Sequence, residues 1–98
     1  MRVIAKSALR VFWQKHPEAE QPLRAWYAEA KHAAWSSPHE VRARYGSADI
    51  LRGGRVVFNI GGNKFRLVVQ LNYGARIAYI RFVGTHKEYD QINAETIR

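Results

Sequence analysis

The chain has 98 residues, of which 47% are hydrophobic and 12 are aromatic, enough for one domain (residues 1–98) with a single modest core and too apolar for wholesale disorder. No apolar run approaches a membrane span, the N-terminus lacks the apolar stretch of a signal peptide, and the absence of cysteine excludes disulfides and thiolate metal sites and fits a reducing cytoplasm. The net charge of +8 is uneven: from Ile50 through Lys87 there are seven basic residues and no acidic one, the footprint expected of a nucleic-acid-binding surface.

Met1 to Ala5 reads as a short edge strand joining a sheet. Ser7 is a plausible N-cap for a helix over Ala8 to His16 that buries Leu9, Phe12 and Trp13, and Pro17 breaks it because the residue before proline is pushed out of helical geometry. A second helix is predicted from Glu18 to Trp35, with Ala19, Leu23, Trp26, Tyr27, Ala30, Ala33 and Ala34 on one apolar side and Pro22 in its first turn. Ser37-Pro38-His39-Glu40 matches a capping box and predicts a short third helix to about Tyr45, closed by Gly46.

Residues 55–89 then predict a three-strand antiparallel meander, because β-branched and aromatic residues alternate with polar ones at period two. With Gly62-Asn63 as the first turn, Ile60 faces Phe65 and Phe58 faces Leu67. With Tyr73-Gly74 as the second, Leu67 faces Ile80, Phe65 faces Phe82 and Arg66 faces Arg81. One face collects Val56, Phe58, Ile60, Phe65, Leu67, Val69, Ala78, Ile80 and Phe82; the other collects Arg55, Asn59, Lys64, Arg66, Gln70, Tyr79 and Arg81. Like charges opposite each other destabilise a strand pair, so Arg66 beside Arg81 predicts an anion between them. The fold expected is α+β, with two to three N-terminal helices on one face of a three- to four-strand antiparallel sheet.

No metal-ligand spacing, phosphate loop or serine-nucleophile signature is present. The polar sheet face instead suits metal-free RNA cleavage. A base takes the 2′-hydroxyl proton, the 2′-oxygen attacks the adjacent phosphorus, and the phosphorane that forms carries extra negative charge. Arginine forks grip phosphate oxygens and stay charged, and histidine suits proton transfer. Arg66, Arg81, His86, Lys87 and Tyr89 are the candidate catalytic set, with Arg66 and Arg81 holding phosphate, His86 moving a proton, Lys87 lending charge and Tyr89 stacking on a splayed base. Lys64, Arg55, Asn59 and Tyr79 are the candidate RNA-binding residues around it.

The blocks Phe58-Asn59-Ile60-Gly61-Gly62-Asn63-Lys64-Phe65-Arg66-Leu67 and Arg81-Phe82-Val83-Gly84-Thr85-His86-Lys87-Glu88-Tyr89-Asp90, with the opening MRVIAKSAL, resemble the HigB family of bacterial toxins within the wider RelE-like group. The resemblance implies an mRNA interferase that usually acts on ribosome-engaged mRNA and stops translation, and no cofactor is expected. It also implies a helix-turn-helix antitoxin of the HigA kind, with operator DNA met only through the antitoxin complex. Relatives of this kind do not share one catalytic set, so the division of labour above is an expectation from the residues. The alternatives are a ParE-like toxin that poisons gyrase by protein contact, a non-catalytic RNA- or ribosome-binding module, and an inactive relic kept for antitoxin binding.

Overall fold

Two hairpin strands whose apolar residues recur at period two set up the sheet, and short segments far from them in sequence complete it. In a computed structural model describing residues 1–98, the chain runs β1 (Arg2–Ile4), α1 (Lys6–Lys15), a 3-10 turn (Pro17–Ala19), α2 (Glu20–His32), α3 (Pro38–Arg44), β2 (Asp49–Ile50), a second 3-10 turn (Arg52–Gly54), β3 (Arg55–Ile60), β4 (Phe65–Asn72), β5 (Ile77–Thr85) and α4 (His86–Tyr89). The sheet order is β1-β5-β4-β3-β2. The class is α+β, as expected, but the sheet has five strands and is mixed, since β1 pairs parallel with β5 through Arg2–Ile77, Val3–Ala78 and Ile4–Tyr79.

The β3–β4 register is the expected one, with Ile60 opposite Phe65, Asn59 opposite Arg66 and Phe58 opposite Leu67. Asn63 takes a φ of 81° in that turn, a conformation asparagine tolerates better than most residues. The β4–β5 register departs from expectation. The connection is the longer Tyr73–Arg76 loop, so Val69 faces Ile80, and a β-bulge between Val68 and Val69 then leaves Arg81 as an extra residue, with Val68 facing Phe82. Arg66 therefore faces Gly84 and not Arg81. The bulge also changes face parity: Phe82 leaves the helix-covered side and packs with Val57 and Val68 on the other, while Val83 takes its place against the main core.

α1, α2 and α3 cover one face. Leu9, Phe12, Trp13, Leu23, Trp26, Ala30 and Val41 pack on Val56, Phe58, Ile60, Phe65, Leu67 and Val69, and Trp26 meets Phe58 edge-on at 5.4 Å. α1 begins at Lys6, before the expected start, and Ala5 stands at its N-cap without a side-chain hydrogen bond, so Ser7 is not the cap. α2 is shorter than expected at both ends, and Ala34 beyond it is exposed. Ser37 caps α3 through the Glu40 backbone N–H, but the Glu40 carboxylate accepts from the Ser36 N–H and hydroxyl, so only half of the capping box forms. The Met1 ammonium donates to the carbonyls of Ala30, Lys31 and Ala33, tying β1 to the end of α2. No helix is long and apolar enough to cross a membrane.

The opposite face is covered in part by residues 90–98, which put Ile92, Ala94 and Ile97 against Val57 and Val68. That covering is absent from the sequence-based picture, and it decides which cations on this face stay free.

Candidate active site

Three pieces of chain meet at one end of the partly covered face: the β3–β4 turn, the end of β5 with α4, and β2. α4 is only one turn long, and its start is set by a complete capping box. Thr85 Oγ1 accepts from the Glu88 backbone N–H at 3.1 Å, and the Glu88 carboxylate accepts from the Thr85 N–H at 2.8 Å. The His86 N–H donates to the Lys64 carbonyl at 3.2 Å, docking α4 beside the hairpin turn. Gly84 has no side chain for a physical reason: a Cβ there would lie 2.5 Å from the Phe82 ring, which folds across it towards Tyr89 at a centroid distance of 6.4 Å.

His86, Tyr89 and Arg66 are brought together by this arrangement. His86 Nδ1 lies 3.1 Å from the Asp90 carboxylate, one helical turn on, with both side chains largely exposed. If Nδ1 carries the proton to Asp90, Nε2 is left with a free lone pair facing solvent. The Arg66 guanidinium donates to the Asn63 carbonyl at 3.1 Å and stands 6.0 Å from the centre of the Tyr89 ring. Burial raises the Tyr89 phenol above its ordinary value, and the Asp49 carboxylate adds to this while Arg66 opposes it. Tyr89 thus stays protonated and can stack or donate a hydrogen bond, but it is a poor base. Lys87 is exposed on α4, with no ion pair.

The remaining candidates fall elsewhere or are already engaged. Lys64 stands at this end of the sheet, but its ammonium pairs with Glu18 at 2.9 Å, and that hydrogen bond and charge hold the Glu18 carboxyl below the usual range. Asn59 sits in the Arg66 row and donates to the Ser47 carbonyl at 3.0 Å. Arg81 and Tyr79 form a separate pair, the guanidinium 5.0 Å from the ring centre. Three residues along β5 from Gly84, Arg81 stands roughly 10 Å from the Arg66 row. Arg55 is only 8% exposed and lies beneath the tail; it donates to the Ala94 carbonyl at 2.9 Å, to the Ile97 carbonyl and to Gln70 at 3.0 Å.

Two residues at this end escape the sequence reading. Asp90 is legible as a carboxylate four positions after His86 on a helix, and Thr85-His86-Lys87-Glu88 carries the capping-box signal for that helix. Asp49 has no local signal, because only the pairing of β2 with β3 brings it near Tyr89. No group of three or more His, Cys, Asp or Glu stands close enough to hold a metal ion.

This geometry can grip a phosphate with Arg66, stack a base on Tyr89 and move a proton at His86. Residues 19–92 match the family described as HigB_toxin, RelE-like toxic component of a toxin-antitoxin system. The chain is 32% identical over 96 residues to the mRNA interferase toxin HigB of Escherichia coli K12, covering 96% of this chain and 92% of that protein. It is equally similar to the mRNA interferase HigB of Shigella flexneri, and 26% identical over 94 residues to that of Escherichia coli O6:H1, covering 94% and 91% of the two chains. The chain belongs to the HigB family of RelE-like toxins.

Proposed function

We propose that this protein is the toxin of a type II toxin–antitoxin module and an mRNA endoribonuclease that works without a metal ion. The observation that carries the mechanism is the meeting of Arg66, Tyr89 and the His86–Asp90 pair at one end of the sheet. Relatives of similar length are named mRNA interferases, and this supports the choice of substrate.

In this reading the RNA backbone runs past Arg66, which grips the scissile phosphate and stabilises the charge that grows on its oxygens. Asp90 accepts a hydrogen bond from the Nδ1–H of His86 and fixes that tautomer, so Nε2 takes the proton of the 2′-hydroxyl. The 2′-oxygen bonds to phosphorus, the bond to the 5′-oxygen breaks, and water gives a proton to that leaving oxygen while the protonated His86 returns its own to solvent. The products are a 2′,3′-cyclic phosphate and a 5′-hydroxyl end. Tyr89 stacks on a base beside the cut, and Lys87 adds positive charge to the approach. Arg81 with Tyr79 forms a second basic and aromatic station farther along the sheet, suited to backbone beyond the cut. The substrate is mRNA engaged by the ribosome in the cytoplasm. The neutralising partner is a helix-turn-helix antitoxin of the HigA kind, through which alone operator DNA is met.

Mapping of new RNA 5′ ends after brief induction tests this. Wild type gives discrete ends within coding regions, and His86→Ala lowers their yield by about 10²- to 10⁴-fold, the usual range for losing acid–base assistance. Growth arrest without new ends would remove the nuclease reading and favour gyrase or the ribosome as a protein target.

A further inference from the structure

Beside Tyr89 lies an open groove of about 430 Å³ lined by Leu51, Tyr89, Ile92, Asn93, Ala94 and Glu95. The catalytic reading uses only one of these, Tyr89. Its lining is mixed, and the apolar part comes from Leu51 in the segment after β2 and from Ile92 and Ala94 of the tail that Arg55 pins to the sheet. Its far rim is a built turn. Asn93 Oδ1 accepts from the Glu95 N–H at 2.9 Å, and the Asn93 carbonyl accepts from the N–H groups of Thr96 and Ile97. The Asn93 side-chain amide NH2 and the Glu95 carboxylate have no hydrogen-bond partner within the chain, and both residues line the groove.

The chemistry of this rim selects its occupant. A nucleic-acid backbone entering here would bring phosphate against the Glu95 carboxylate, and like charges repel. The backbone has a better station at Arg66, 6.0 Å from the centre of the shared Tyr89 ring. An open groove of mixed lining with one aromatic residue, next to a phosphate grip, fits a splayed base. The carboxylate then meets the edge of that base and accepts hydrogen bonds. Adenine, cytosine and guanine each offer an exocyclic amino group on that edge. Uracil offers carbonyl oxygens in their place, with only the ring N3–H between them to donate, so at both of those positions an acceptor would face the carboxylate.

We propose that this groove is a base subsite: it holds one unstacked RNA base against Tyr89 and reads its exocyclic amino group through Glu95, so that uracil is disfavoured at one position near the cut. The inference rests on the endoribonuclease reading, which places RNA at Arg66 and Tyr89.

The test is the base composition around mapped 5′ ends for wild type and Glu95→Gln, each induced briefly in cells. Glu95 is exposed and the change is isosteric, so folding is not at stake. Glutamine keeps an acceptor and adds a donor that can serve a uracil carbonyl. Wild type should show uracil depleted at one fixed position, and Glu95→Gln should raise uracil there roughly tenfold, the scale of a good base-edge contact. Identical base profiles in the two proteins, or an even loss of cutting at every site in the variant, would overturn the subsite while leaving the nuclease reading standing. No ends from wild type would sink both.

Discussion

Arg55→Met is the substitution with the widest consequences on the partly covered sheet face. Arg55 is buried, and its guanidinium holds the tail through Ala94 and Ile97 while Gln70 steadies it. Burial lowers its pKa, and the charges of Arg81 and Arg98 add to that, so the cation is held at a cost which the tail carbonyls offset. Methionine keeps the apolar stem and removes every donor. Hydrogen bonds from a charged group are worth about 1.5–3 kcal/mol each, but the tail can swing out and rehydrate its carbonyls, so the net loss is capped by the docking energy of residues 90–98. A loss of about 2–3 kcal/mol is expected, equivalent to a fall in Tm on the order of 10–20 °C for a domain this size. Urea unfolding measures the stability, and hydrogen exchange locates the effect: amides of residues 92–97 should lose protection before those of β4 do. Arg55→Lys should recover only part of the loss, since one ammonium cannot reach three acceptors as a planar fork does. Unchanged stability together with unchanged exchange in the tail would refute the claim that Arg55 anchors it.

Other outcomes follow from particular contacts. Thr85→Ala removes the side-chain half of the capping box and should cost about 1 kcal/mol, while cleavage falls further than the lost folded fraction explains, because His86 is the first residue of that helix; a matched loss of both would assign Thr85 a purely structural part. Gly54→Ala puts a Cβ 2.7 Å from the Leu71 carbonyl oxygen at a φ of 78°, so a loss of about 2 kcal/mol is expected in urea unfolding, and a neutral result would mean the backbone there is free to shift. Burial and the Glu29 carboxylate push the Tyr45 phenol up to about 12 from an ordinary 10, with Arg44 opposing. Since the folded value lies above the unfolded one, its contribution is fully present below pH 10 and is lost as pH rises through about 12; Tyr45→Phe should flatten that alkaline limb of a stability titration.

Much of this protein is local, and local physics is legible in a sequence. The β3–β4 hairpin is set by a short turn whose glycines and asparagine accept positive φ, and by alternation that would fail on a one-residue slip. Ser37-Pro38 marks the start of α3 because a cap is satisfied by its immediate neighbours. His86, Arg66 and Tyr89 could be grouped because a hairpin and the short helix after β5 must bring their ends together.

Tertiary structure decided what depends on distant partners. Period-two patterning cannot show a longer loop or a bulge; the Tyr73–Arg76 loop and the bulge at Val68/Val69 together separate Arg66 from Arg81, and the bulge sends Phe82 to the other face, where Val57 and Val68 give it an apolar neighbourhood. The parallel pairing of β1 with β5 joins residues more than seventy positions apart, with no turn to announce it. Arg55 reads as a free cation on a polar stripe until the tail folds over it. Its burial is stable only because two tail carbonyls and Gln70, far along the chain, supply the hydrogen bonds that water would otherwise have made.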